Sequence, residues 1–180
     1  MQPTERTTVL DLDNKIRIAG IVEDSIVDGP GLRISIFVQG CPHACEGCHN
    51  PQTWDFDGGH DMTIGAILER IKHDPLLDGV TFSGGEPMCK AKALAFLAKK
   101  SHEMGLNVIV YTGYIFEYLL EHADDQNGYM ELLKETDILI DGPFVLKKRD
   151  LELKFRGSSN QRIIDVKRSL EEGKTVICEL

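Results

Sequence analysis

Along residues 32–140 the hydrophobic pattern alternates between a period of two and a helical period, and this alternation restricts the fold more than any other feature. Residues 32–38 put Ile34, Ile36 and Val38 on one face, as a strand does. Ile64, Ile67, Leu68 and Ile71 recur at helical spacing after Thr63, which reads as an N-cap. Val80 and Phe82 belong to a strand ending at Ser83, and residues 91–104 form a helical pattern stopped by Gly105. A strand over 107–111, helical stretches over 114–122 and 129–135, and the apolar run 138–140 complete the series. Strands separated by helices imply βαβ units, hence an α/β class with parallel strands and right-handed crossovers. About four units fit the 180 residues, too few for the eight of a closed barrel.

A cysteine loop follows the first of these strands directly. Gly40-Cys-Pro-His-Ala-Cys-Glu-Gly-Cys-His-Asn-Pro51 carries Cys41, Cys45 and Cys48 at C-x3-C-x2-C spacing. An electron-transfer [4Fe-4S] cluster normally has one Cys per iron, and a structural zinc site is closed by four ligands. Here the local set stops at three, so one position stays open to a small molecule. A zinc site of three Cys with His43 or His49 is the alternative that spacing leaves standing. The second motif, Thr81-Phe-Ser-Gly-Gly-Glu-Pro87, reads as a strand running into a glycine turn. Gly84 and Gly85 would let a ligand approach the main chain, and Glu86 could accept from a cationic amine.

Taken together, the three-cysteine loop and Gly-Gly-Glu-Pro resemble the radical S-adenosylmethionine (SAM) enzymes. Asp28-Gly-Pro-Gly-Leu-Arg33, Cys48-His-Asn-Pro-Gln-Thr-Trp54, Tyr111-Thr-Gly-Tyr114, Asp137-Ile-Leu-Ile-Asp-Gly-Pro-Phe144 and Arg156-Gly-Ser-Ser-Asn-Gln-Arg162 narrow that resemblance. They are similar to segments of the activating proteins of anaerobic (class III) ribonucleoside-triphosphate reductases, over most of residues 16–166. His49 stands where Tyr is more usual in that family.

The resemblance implies an incomplete open (β/α) barrel of parallel strands, formed by one radical SAM domain over residues 1–180 with 1–14 as a polar N-terminal extension. It implies a [4Fe-4S] cluster on Cys41, Cys45 and Cys48, with SAM chelating the fourth iron. Reductive cleavage of SAM would give a 5′-deoxyadenosyl radical, which takes a hydrogen atom from a glycine of the reductase and leaves a glycyl radical there. Gly47 and His49 match positions that touch SAM, and Gly84, Gly85 and Glu86 would hold its methionine end. Thr112 and Asp141 fall at later strand ends, as ribose or carboxylate contacts or as ordinary turn residues. SAM carries the hard chemistry, so no conventional catalytic acid or base is named. The partners implied are the reductase and a low-potential electron donor such as flavodoxin or ferredoxin. An activator of another glycyl-radical enzyme, or a small-molecule radical SAM enzyme, shares the first motifs; a non-catalytic zinc or electron-transfer protein is the reading from another class.

Charge and composition exclude some partners. A net charge of −9 argues against a phosphate-tracking surface and hence against nucleic acid. The brief basic run Lys147, Lys148 and Arg149 reads as a solvated loop. Five Cys with no secretory signal or long apolar stretch point to a reducing cytoplasm and no membrane. Segment 156–162 reads as a SAM or partner contact, Trp54 as core or cluster shield, Cys89 as a buried thiol near the site and Cys178 as a bystander. His60, His73, His102 and His122 lack metal-ligand spacing.

Overall fold

The alternating pattern becomes a single mixed sheet in the computed structural model, which describes residues 12–180. In chain order the elements are β1 (Lys15–Ser25), β2 (Arg33–Val38), β3 (His60–Thr63), α1 (Ile64–His73), β4 (Gly79–Gly84), α2 (Ala91–Glu103), β5 (Asn107–Tyr111), α3 (Phe116–Glu121), α4 (Tyr129–Lys134), β6 (Ile138–Asp141), β7 (Arg162–Asp165) and α5 (Val166–Glu172). The sheet order is β3-β1-β2-β4-β5-β6-β7. The inner strands β2, β4, β5 and β6 are parallel, as expected. The expectation of parallel strands alone is corrected at both edges, because β1, β3 and β7 pair antiparallel. Of the N-terminal extension only residues 12–14 are among those described. Their carbonyls are not idle: Leu12 and Asn14 accept from Gly65 and Ile64 at 2.8 Å, satisfying free N–H groups at the start of α1.

The parallel strands are laid down in one direction across the sheet, and crossovers of one hand then send the helices to one face. Ile34, Ile36 and Val38 of β2, Val80 and Phe82 of β4, Val108 and Val110 of β5 and Leu139 of β6 point to that face and are fully buried there. They pack with Ile67 and Ile71 of α1 and Leu94 and Leu97 of α2 in one apolar core. The alternate residues form a second layer with a different character. Ile109, Ile140 and Ile163 make a small apolar cluster, while Arg33, Ser35 and Thr81 are buried polar groups.

Arg33 shows why that face tolerates charge. Its side chain is wholly buried and donates to Thr81 Oγ1 at 2.7 Å, Asn107 Oδ1 at 2.8 Å and the carbonyls of Val80, Pro30 and Asn107. Thr81 Oγ1 passes its own proton to the Asp28 carbonyl, and Ser35 Oγ donates to the Asp28 carboxylate. Burial lowers the Arg33 pKa to about 10, which still leaves the guanidinium charged near neutrality. This network joins β2, β4 and β5 near their amino ends, so Asp28-Gly-Pro-Gly-Leu-Arg33 builds the floor of the sheet and leaves the opposite rim for chemistry.

Arg33→Ala would strip five hydrogen bonds and leave two of the acceptors, Thr81 Oγ1 and the Val80 carbonyl, in the buried interior without that donor. The expected loss is about 3–5 kcal/mol, read as a lower urea midpoint at unchanged m value. A midpoint equal to that of the parent would show the network to be idle.

Candidate active site

β2 delivers the cysteine loop to the carboxyl ends of the strands, and backbone hydrogen bonds fold the loop back on itself. Gly40 N donates to Thr53 O at 2.8 Å and Cys41 N to Trp54 O at 3.1 Å; Gln39 Nε2 donates to the carbonyls of Gln52 and Asp55. Cys48 N closes a turn on Cys45 O at 3.1 Å, and Ala44 is held in the left-handed region at φ +46°. All three thiols are free and half-buried, and they line one cavity of about 120 Å³ together with Trp54, Gly84, Gly85 and Thr112. Burial pushes the Cys41 and Cys45 thiols up, so ligation there must displace a proton. The Asn50 N–H lies 3.4 Å from the Cys48 sulfur, a donor of the kind that tunes a ligating thiolate.

This donor set suits a cluster better than a single ion. No three His, Cys, Asp or Glu groups among the described residues converge on a single-ion site. A cubane takes its thiolates at separate irons, so sulfurs spread round one cavity fit it. His43 Nε2 is occupied elsewhere, at 2.7 Å from Glu86 Oε2, which weakens the case for three Cys with His43 as a zinc site. The Trp54 indole lines the cavity, favouring the shielding role over the core one.

Glu86 binds several parts of the site together. The side chain is wholly buried, and both oxygens are taken by the protein. Oε1 accepts from Met88 N and Thr112 Oγ1 at 2.9 Å each; Oε2 accepts from Gly113 N at 2.9 Å and faces His43. The carboxylate thus ties the cysteine loop, the β4 turn and the β5 loop together rather than presenting itself to an amine. Thr112 is likewise committed, donating to Glu86 and accepting from Tyr114 N. Asp141 accepts from Phe116 N at the start of α3 and from Arg162, whose guanidinium also grips Glu117. In this structure the Glu86, Thr112 and Asp141 side chains fasten loops, and protein donors face the oxygens of both carboxylates.

The glycines permit close approaches between loops. Gly84 sits at φ +94°, and a Cβ on Gly85 would lie 2.3 Å from the Gly40 carbonyl, so only bare backbone lets the two loops meet. Gly113 leaves room for the His43 ring, which a Cβ there would approach to 2.4 Å; the ring also meets Tyr114 edge-on at 4.5 Å. Gly47 turns beneath Leu146 and Phe144 and is not among the residues lining either cavity. His49 lies 5.1 Å from the Phe144 ring and lines a larger cavity of about 360 Å³. The two cavities adjoin, sharing Cys48, Ser83, Tyr111, Phe144 and Gln161.

Segment 156–162 closes one wall of the larger cavity. Gln161 Oε1 accepts from the Gly157 and Ser158 amides, and Arg156 Nη1 donates to the Gln161 carbonyl at 3.1 Å. The buried Arg156 Nε has no protein partner among the described residues, a donor left over beside the cavity. The sequence reading missed Ser83, Tyr111 and Phe144 as individual site residues and considered His43 only as a zinc ligand. Only the strand period, which turns Ser83 and Tyr111 away from the helices, could have marked two of them. Cys89, expected as a buried thiol, is exposed.

Comparison with known proteins agrees with this geometry. The 4Fe-4S single cluster domain family matches residues 27–164, most of the chain, which sets the class. The anaerobic ribonucleoside-triphosphate reductase-activating protein of Vibrio cholerae is 37% identical over 150 residues, covering 77% of this chain and 90% of that one. Its counterpart in Escherichia coli K12 is 34% identical over 146 residues, covering 76% and 90%. A pyruvate formate-lyase-activating enzyme of Clostridium pasteurianum is 36% identical over 130 residues, covering 69% and 50%. QueE from Escherichia coli overlaps 55% of this chain and 52% of its own at 19% identity and a TM-score of 0.43, a partial likeness. The chain belongs to the family of anaerobic ribonucleoside-triphosphate reductase-activating proteins, radical SAM activators of glycyl-radical enzymes.

Glu86 and Glu117 each give a prediction. Glu86→Ala strands Met88 N, Thr112 Oγ1 and Gly113 N, and should cost about 3 kcal/mol in urea unfolding and lower iron incorporation as well. Full iron loading at parental stability would return Glu86 to a role in ligand binding. The hydrogen bond from Arg162, with a smaller one from Thr175, holds Glu117 down at about 2 against an ordinary 4.5. A folded pKa below the unfolded one gives stability that is complete above about pH 4.5 and is lost as pH falls towards 2. Glu117→Gln should therefore flatten the acid-unfolding curve over that window, and superimposable curves would contradict the assignment.

Proposed function

We propose that this chain activates an anaerobic ribonucleoside-triphosphate reductase by using a [4Fe-4S] cluster and SAM to install a glycyl radical on it. The observation that carries the reading is the pair of adjoining cavities at the strand ends, one lined by three thiols and the next by an unused arginine donor. Cys41, Cys45 and Cys48 would each take one iron, leaving the fourth open towards the larger cavity. Bound there, SAM supplies on one-electron reduction the carbon radical that removes a hydrogen atom from the reductase glycine. Fe–S potentials reach about −700 mV, so the reducing power lies within a cluster's range.

The protein's part is positioning. Gly84 and Gly85 offer bare main chain beside the thiols, Arg156 Nε offers a cation to a carboxylate, and His49 with Phe144 and Tyr111 offers aromatic surface to an adenine. Glu86, Thr112 and Asp141 act one step back by fixing the loops that carry those groups. The curved parallel centre with its open edges is read as a partial (β/α) barrel in one radical SAM domain. A reducing cytoplasm, a low-potential flavodoxin or ferredoxin as donor, and no nucleic-acid partner complete the proposal. No described helix is long and apolar enough to cross a membrane.

Electron paramagnetic resonance of anaerobically reconstituted, reduced protein with and without SAM tests this. A reduced-cluster spectrum that shifts on adding SAM supports the open iron; a [4Fe-4S] spectrum indifferent to SAM would leave a simple electron carrier. Cys48→Ala should abolish SAM cleavage while urea unfolding still reports a folded sheet, and retained cleavage would refute the ligand assignment.

A further inference from the structure

A second surface lies between the start of β1 and the turn that follows β4, apart from both cavities of the site. Lys15 and Arg17 of β1 and Lys90 and Lys92 beside the start of α2 line a groove of about 460 Å³, with Cys89 at its wall and Asp61 as the one acidic lining residue. In a chain of net charge −9 this concentration of cations stands apart. Arg17 pairs with Asp61 at 3.2 Å and Lys92 Nζ donates to the Asp125 carbonyl, whereas Lys15 and Lys90 form no ion pair among the described residues.

The groove backs onto the cluster loop through short covalent and hydrogen-bonded links. Cys89 N donates to Glu86 O at 3.0 Å, and Glu86 N donates to the carbonyl of Gly40, the residue before Cys41. After burial, the charges of Glu86 and then Cys41 are what raise the Cys89 thiol, so these groups sit within electrostatic reach of one another. The groove shares no lining residue with the two cavities of the site. A partner seated in it would approach Cys41 without blocking the ligand mouth.

We propose that this basic groove is the docking surface for an acidic one-electron carrier protein, which delivers its electron to the cluster from the Cys41 side while the reductase occupies the other mouth. The inference rests on the cluster reading above. The carrier must be anionic to complement four cations, and charge steering of this kind raises encounter rates at low salt. The step is a bare electron transfer: an anionic flavin hydroquinone becomes the neutral semiquinone, the cluster gains one electron, and no proton or bond moves.

The test follows cluster bleaching in anaerobic stopped flow, using reconstituted protein mixed either with a flavodoxin in its hydroquinone state or with dithionite. Lys15→Glu combined with Lys90→Glu should slow reduction by the flavodoxin about tenfold or more at low ionic strength, and Lys15→Gln with Lys90→Gln by a smaller factor. Raising the salt should bring the parent down towards the Glu pair, while dithionite rates stay equal in all three. Flavodoxin rates equal to the parent's in the Glu pair would overturn the proposal. So would equal slowing with dithionite, or unchanged reduction combined with weaker binding of the reductase, which would give the groove to the reductase. A parent protein with no cluster to bleach would instead sink the reading of the three cysteines, a failure separate from that of the groove.

Discussion

A buried carboxylate with four neighbours holds the candidate site in shape. Glu86 lies in no solvent, and its charge is tolerable because Met88 N, Thr112 Oγ1 and Gly113 N donate to it and His43 closes the remaining side. Those donors come from different strand ends, so satisfying one group fixes their mutual positions. The cysteine loop gains most. It contains a residue in the left-handed region at Ala44 and few apolar anchors, and His43, wedged between Glu86 and Tyr114, pins its middle to the rim.

A buried charge at each end of the sheet divides the labour. Arg33 of β2 secures the floor by binding the Thr81 hydroxyl and the Val80 carbonyl of β4 and Asn107 of β5, and Glu86 secures the rim by binding loops. The strand period makes both possible: it sends Ile34, Ile36, Val80 and Phe82 into the helix-covered core and leaves Arg33, Ser35, Thr81 and Ser83 on the other face. A polar inner face is costly unless its groups are paired, and here the floor network pairs them. The antiparallel edges extend this face on both sides without needing further crossover helices.

How much of this was legible in the sequence depends on how cleanly each segment repeats. β5 and α1 were readable because pattern and boundary coincide: Asn107–Tyr111 is a short β-branched apolar run between a glycine stop and Thr112, and Thr63 Oγ1 caps Ala66 N. β1 was not readable because register breaks between Ile18 and Gly20 and between Val22 and Ser25 interrupt its alternation. β3 is four residues of mostly exposed, polar sequence, and β7 is four residues next to a loop, too short for any period to show. At the site, the cysteines and glycines were legible from spacing alone. The burial of Glu86 was not legible, because it depends on donors 26 and 27 residues further along.

The openness of the ligand mouth follows from the size of the sheet. With seven strands ordered from β3 to β7, the larger cavity is walled by Phe37, Tyr111 and segment 156–162, while Val27 at its border is 72% exposed and Ile26 beside it 71%. Leu151, in the segment leading to Leu153 and Phe155 on the opposite wall, is 82% exposed. Apolar side chains on both sides of an open mouth gain by being covered, and a carbon radical formed inside must be kept from water. On the proposed reading both needs are met by one event, the seating of the reductase's glycine segment across the mouth. A scaffold that cannot enclose its ligand alone thereby ties the reactive geometry to the presence of the partner that consumes it.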